Sequence, residues 1–362
     1  MLKPHPQSLL TLLAALVLAE PAPAGEVAFT DHEGRAVSLP RPARRVASLP
    51  IPMASTLVAL EGSPDILVGM HPLAKSAMAE GILGRIFPQV GGIPSDITAA
   101  GFVPNVEALA VTAPDLVIQW GERGGDIVDP ITNAGMTVML IRYGVEQNAR
   151  EYMTMAARAI GRADRIEPLV TWRAAVEAEM RAVSDTIPEA DRPSVLYLGR
   201  ALENLTASGS ENNYNAWYMD LAGGRNAAHD LVGQGVTISP EQIATWDPDV
   251  ILLNSFEPHL TTARIFDDPI LSLTTAAQAG RVYKMPLGGY RWDPPNQESP
   301  LTWMWLAMLL HPDRFDYDLR AEMRAAYRTL YDHELSDADI DEILWMDMQG
   351  VAPGYARFAA AP

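Results

Sequence analysis

The chain has 362 residues, with 27 Lys and Arg against 45 Asp and Glu, a formal net charge of −18, and no cysteine. That balance argues against a nucleic-acid partner, which needs a basic footprint, and the missing thiols exclude disulfides, cysteine nucleophiles and cysteine-ligated iron–sulfur clusters. The length exceeds one ordinary domain and points to two lobes.

At the start, Lys3 precedes an apolar run at 9–19 and the small-residue pattern Ala22-Pro23-Ala24. About 11 apolar residues fall short of the ~20 that cross a bilayer, so residues 1–24 read as a secretory signal peptide cleaved after Ala24. A bacterial lipid anchor would need a cysteine at the mature N-terminus, so the mature chain is expected to diffuse freely in a periplasm.

Runs at 45–49, 66–69, 137–141, 194–198 and 281–285 have the length and β-branched content of buried parallel strands. Helical stretches separate most of them, which predicts an α/β fold: two lobes, each a mostly parallel sheet flanked by helices. A repeat supports this. Glu107-Ala-Leu-Ala-Val-Thr-Ala-Pro114-Asp115-Leu-Val-Ile118 recurs as Glu241-Gln-Ile-Ala-Thr-Trp-Asp-Pro248-Asp249-Val-Ile-Leu252, a short helix, a Pro-Asp step and a strand in each copy.

Between the lobes, Ile166, Leu169, Val170, Val176, Met180 and Val183 recur at near-helical spacing and predict one long helix over 164–187, opened by an Asp164/Glu167 capping pair. As a single crossover it would restrain the lobes to small hinge motions. Amphipathic helices follow at 318–332 and 336–347. The expected domains are an N-terminal lobe at 25–163, the inter-lobe helix at 164–187, a C-terminal lobe at 188–348 and a loose tail at 349–362.

The hairpin segment Phe29-Thr-Asp-His-Glu-Gly-Arg-Ala-Val37, followed by Pro42-Ala-Arg-Arg-Val46, resembles the opening of the class III, helical-backbone periplasmic binding proteins of ABC importers. The Pro-Asp repeats, Leu221-Ala-Gly-Gly-Arg-Asn226 and Leu306-Ala307 through His311-Pro312 match the same family across about residues 27–345. The resemblance implies capture of a metal-containing small molecule, with ferric siderophore as first cargo and cobalamin, haem or an oxyanion such as molybdate as alternatives. It implies delivery to an inner-membrane permease by a monomer that needs no cofactor and is not an enzyme. Permease docking in that family uses one exposed glutamate per lobe; Glu241 falls near the second-lobe motif, and Glu80 is the looser first-lobe candidate.

Ligands of open parallel sheets lie beyond the carboxyl ends of the strands. That rule selects Trp120, Arg123, Arg142 and Tyr143 in the first lobe and Arg200, Tyr214, Tyr290, Arg291 and Trp292 in the second. Guanidinium groups suit an anionic chelate, and the aromatic rings suit a flat or bulky one. Arg291, between two aromatic residues, is the arginine the sequence puts forward first. The alternative for each arginine is a surface ion pair, and for each aromatic, core packing. No histidine pair has metal-ligand spacing, so no direct metal site is expected. A periplasmic hydrolase is the rival class, but no Gly-x-Ser-x-Gly or His-Glu-x-x-His motif occurs.

Overall fold

The computed structural model describes residues 25–360; the expected signal peptide at 1–24 and the last two residues of the tail lie outside the described residues. The chain opens with an antiparallel hairpin, β1 (Val27–Thr30) and β2 (Ala36–Leu39). The Asp31 carboxylate at its turn accepts hydrogen bonds from Arg35 and from the Leu140 amide at 3.1 Å, which fastens the hairpin to the first lobe.

The first lobe is a four-stranded parallel sheet of β3 (Val46–Ser48), β4 (Leu67–Met70), β5 (Leu116–Trp120) and β6 (Val138–Ile141), in the order β4-β3-β5-β6. The second is built from β7 (Ser194–Leu198), β9 (Arg225–Asn226), β11 (Val250–Leu253) and β12 (Val282–Lys284), in the order β12-β11-β7-β9. Beside it, β8 (Leu205–Ala207) and β10 (Val236–Ile238) form an antiparallel ribbon. β5 and β11 are buried along their whole length, as the apolar runs Leu116–Ile118 and Val250–Leu253 favour, with Gln119 the one polar residue of β5, between Ile118 and Trp120.

The Pro-Asp repeat has a structural cause. In each copy a polar side chain caps a short helix: Asn105 accepts from the Ala108 amide before Val106–Thr112, and Ser239 from the Gln242 amide before Pro240–Trp246. Each helix ends on a left-handed residue, Ala113 at φ 43° and Asp247 at φ 41°. The aspartate after the proline then accepts from the chain entering the neighbouring strand, Asp115 from the Arg44 amide at 2.8 Å and Asp249 from the Ser194 amide at 2.7 Å.

A helix of 22 residues, Ala163–Ser184, joins the lobes and at 1.5 Å per residue spans ~33 Å. The expected capping pair does not form. Arg162 is the cap residue and Asp164 turns back to it at 3.4 Å, so the helix starts without a side-chain cap.

The helix is not the lobes' sole connection. Every residue from 285 to 310 is buried, and this stretch fills the seam between the sheets before becoming the helix Ser299–Leu310. Gln297 accepts hydrogen bonds from Ser55 and Thr56 of the first lobe, Tyr152 donates to the Pro295 carbonyl, and Arg173 of the long helix donates to the Asn296 carbonyl. Helix Leu319–Tyr331 then packs against Met53–Glu61 of the first lobe, so one apolar core runs through both lobes. The tail departs from the expectation of a loose end: Tyr355 and Phe358 are fully buried, and Tyr355 stacks on Tyr283 at 5.8 Å. Among the described residues no helix is long and apolar enough to cross a membrane.

Candidate functional site: the inter-lobe cleft

The carboxyl ends of the two sheets face each other across a cavity of about 220 Å³. The first lobe supplies Ile51, Pro52, Phe102, Trp120, Arg123 and Tyr143; the second supplies Tyr197, Gly199, Asn215, Gln234 and Phe256, with Asp293 and Pro294 from the seam.

Aromatic packing shapes the first wall. Trp120 meets Tyr143 edge-on at 6.1 Å and Phe102 edge-on at 6.2 Å, and His71 tilts against Phe102 at 5.0 Å. Phe102 has φ 66°, a conformation that bulky residues rarely adopt, so the surrounding packing holds it there. The Trp120 indole nitrogen is buried without a partner, a free donor on a residue of the wall. Arg123 is exposed and lies 4.5 Å over Phe102 and 5.8 Å from the Trp120 ring.

The second wall repeats that pairing. Phe256 lines the cleft and Arg200, also exposed, stands 5.4 Å over its ring while donating to the Gly199 carbonyl at 2.8 Å. Arg123 and Arg200 make no ion pair among the described residues, although fourteen of the chain's other arginines pair with carboxylates. Asp293 accepts from the Ser255 amide and hydroxyl and from Tyr197 at 2.8 Å. Burial raises its pKa, and these donors offset part of that shift.

Of the residues read from the sequence, Trp120, Arg123 and Tyr143 line the cavity and Arg200 stands at its rim. Others are employed elsewhere. Arg142 makes a two-pronged pair with Glu33 of the hairpin turn, at 2.8 and 3.0 Å. Tyr214 is buried behind the wall, where its hydroxyl donates to Glu146 at 3.1 Å and accepts from Trp303. Tyr290 is fully buried, and Trp292 donates to the buried Glu298 at 3.0 Å. Arg291 is 1% exposed and stands 5.1 Å over Phe256, outside the cavity lining.

Glu241 is exposed in the first turn of its helix, where its own backbone amide and then the Ser239 hydroxyl lower its pKa. Glu80 bonds to Ser76 and faces Arg291 at 3.7 Å, so an inter-lobe contact engages its carboxylate. Phe102, Tyr197 and Phe256 were missed as site residues. The sole sequence signal was that Phe256 and Tyr197 fall at or just after strand ends.

The sequence profile of the periplasmic binding protein family matches residues 100–287. A periplasmic solute binding protein from Veillonella parvula is 32% identical and superposes with a TM-score of 0.81, covering 90% of this chain and 99% of that one. The chain belongs to the periplasmic binding protein family. Among curated relatives of this periplasmic binding protein, a cobalamin-binding protein of Halobacterium salinarum is 27% identical over 325 residues, 81% of this chain and 82% of the relative. The molybdate-binding protein MolA of Haemophilus influenzae is 23% identical over 327 residues, 84% of this chain and 90% of the relative. The solved structure of MolA bound to molybdate superposes with a TM-score of 0.75 at 21% identity, covering 85% and 99% of the two chains, which shows the shared fold.

Proposed function

We propose that this periplasmic binding protein captures an anionic metal-containing compound in the inter-lobe cleft and hands it to the membrane permease of an ATP-driven importer. The observation that carries the reading is that two arginines at the cleft, Arg123 on one lobe and Arg200 on the other, have no ion pair among the described residues and each rest on a phenylalanine of the cleft. Cations kept free of carboxylates in so acidic a chain suit a ligand that brings its own negative charge. The relatives named for cobalamin and molybdate support a metal compound as cargo.

A cavity of about 220 Å³ is smaller than the ~300–1,000 Å³ of sites that enclose drug-sized ligands. It suits a compact oxyanion held whole, or a ferric siderophore that seats one face and leaves the rest in the mouth. Glu241 is the proposed permease contact of the second lobe. Secretion by a signal peptide cleaved near Ala24 belongs to the same reading.

The test is metal analysis and mass spectrometry of protein purified from its native compartment, followed by tryptophan-fluorescence titration with molybdate, cyanocobalamin, haemin and a ferric catecholate. A retained metal compound, or saturable quenching by one of these probes, is expected. A metal-free preparation that none of the four quenches would overturn the reading.

A further inference from the structure

Lys284, the last residue of β12, is fully buried and forms no ion pair with a carboxylate among the described residues. Its ammonium group donates to the carbonyls of Glu257 at 3.2 Å, Pro258 at 3.2 Å and Leu260 at 2.7 Å, and stands 4.7 Å over the Trp345 ring. The loop after β11 is therefore wound around a side-chain cation much as a backbone cage closes around a bound ion. Burial pushes the ammonium pKa down to about 8, so holding the charge there costs stability.

The wound loop carries Phe256. Just before it, buried Asn254 accepts from the Phe256 and Glu257 amides, and the Glu257 carboxylate accepts from the amide of Ala201, the residue directly after Arg200. Both Arg200 and Arg291 stand over the Phe256 ring.

We infer that Lys284 is a positioning residue for the cleft, which by gathering three carbonyls of the 257–260 loop sets the Phe256 ring and, through it, the arginines of the second wall. Its connection to transport rests on the cleft reading above, whereas its effect on Phe256 does not.

The mature chain holds seven phenylalanines. Labelled with fluorophenylalanine, it gives a resolvable set of fluorine resonances, with Phe256 assigned from the spectrum of Phe256→Leu. Lys284→Met should broaden and shift the Phe256 resonance and raise amide exchange in 255–260 roughly tenfold, while β11 stays protected. Lys284→Gln, a milder change, should move the same resonance less. In Lys284→Ala, added methylammonium, sized to the vacated carbonyl cage, should restore the resonance. An unmoved Phe256 signal in both Met and Gln variants would overturn the inference. So would exchange that rises equally across the lobe, or a failure of methylammonium rescue, since each of these describes ordinary core packing. Because neither readout uses a ligand, an empty cleft would sink the transport reading without touching this one.

Discussion

Arg291 Nη2 lies 3.7 Å from Glu80 Oε2, a contact that joins the second lobe to the first at a point where the guanidinium is almost completely buried. Its Nε and Nη1 have no hydrogen-bond partner. A buried ion in that state contributes little net stability, because desolvation offsets its attraction to a distant carboxylate. Arg291→Met, which keeps the volume, should therefore leave unfolding free energy unchanged or raise it. Arg291→Ala opens a cavity beside Phe256 and should cost about 2–3 kcal/mol. Urea denaturation of the two variants checks both, and equal losses would show that the charge itself stabilises the seam.

Anion capture should depend on the arginines that are exposed. Arg123→Ala and Arg200→Ala should each remove a charge-assisted contact of roughly 1.5–3 kcal/mol and weaken binding of whichever probe quenches the wild type by about one to two powers of ten. Melting temperatures should barely change, because both side chains are exposed. Lysine at either position should restore only part of the affinity, since a point charge cannot replace a planar fork. Undiminished affinity in both alanine variants would remove the case for an anionic cargo.

The seam limits motion. With Gln297 bonded to Ser55 and Thr56, and Leu319–Tyr331 packed on the first lobe, ligand binding should leave the radius of gyration, about 20 Å for a compact chain of this size, unchanged in small-angle scattering. A marked compaction would mean that these contacts open in solution.

Acid should loosen the first wall through His71. Its Nδ1 caps helix Pro72–Glu80 by accepting from the Leu73 amide at 3.1 Å, which requires an unprotonated nitrogen, and burial lowers its pKa to about 4. The folded-state value lies below the unfolded value of about 6.5, so the unfolded chain takes up the proton first. The stability this group contributes is present above about pH 6.5 and is lost as pH falls towards 4, by up to about 3 kcal/mol. His71→Asn keeps a capping acceptor and should flatten that slope in chemical denaturation between pH 7 and pH 4.5; an unaltered slope would assign the acid sensitivity to other groups.

Much of the architecture could be read from the sequence because it obeys periods and local rules. Continuous β-branched runs have no solvent face, so they mark buried parallel strands, and each of the five runs chosen on that ground overlaps one. The Pro-Asp repeat was visible twice because each aspartate performs one local task, gathering the amides of the chain that enters the next strand.

The site followed a different logic. The rule that ligands lie beyond strand ends chose useful loops, since 120–123, 142–143 and 290–293 all contribute to the cleft or its backing. Within an irregular loop, however, side chains have no period, and their directions depend on what the rest of the fold leaves open. Arg142 found Glu33 on the hairpin, Trp292 found Glu298, and Arg291 was drawn behind Phe256 towards Glu80. Phe102 reached the cleft through a left-handed backbone conformation that its residue type does not announce. The sequence by itself determined two parallel sheets, their repeated helix-to-strand corners and the loops that meet between them. Only the tertiary structure decided which side chains of those loops face a ligand, because that choice rests on partners far along the chain, through bonds and packing with no local signature.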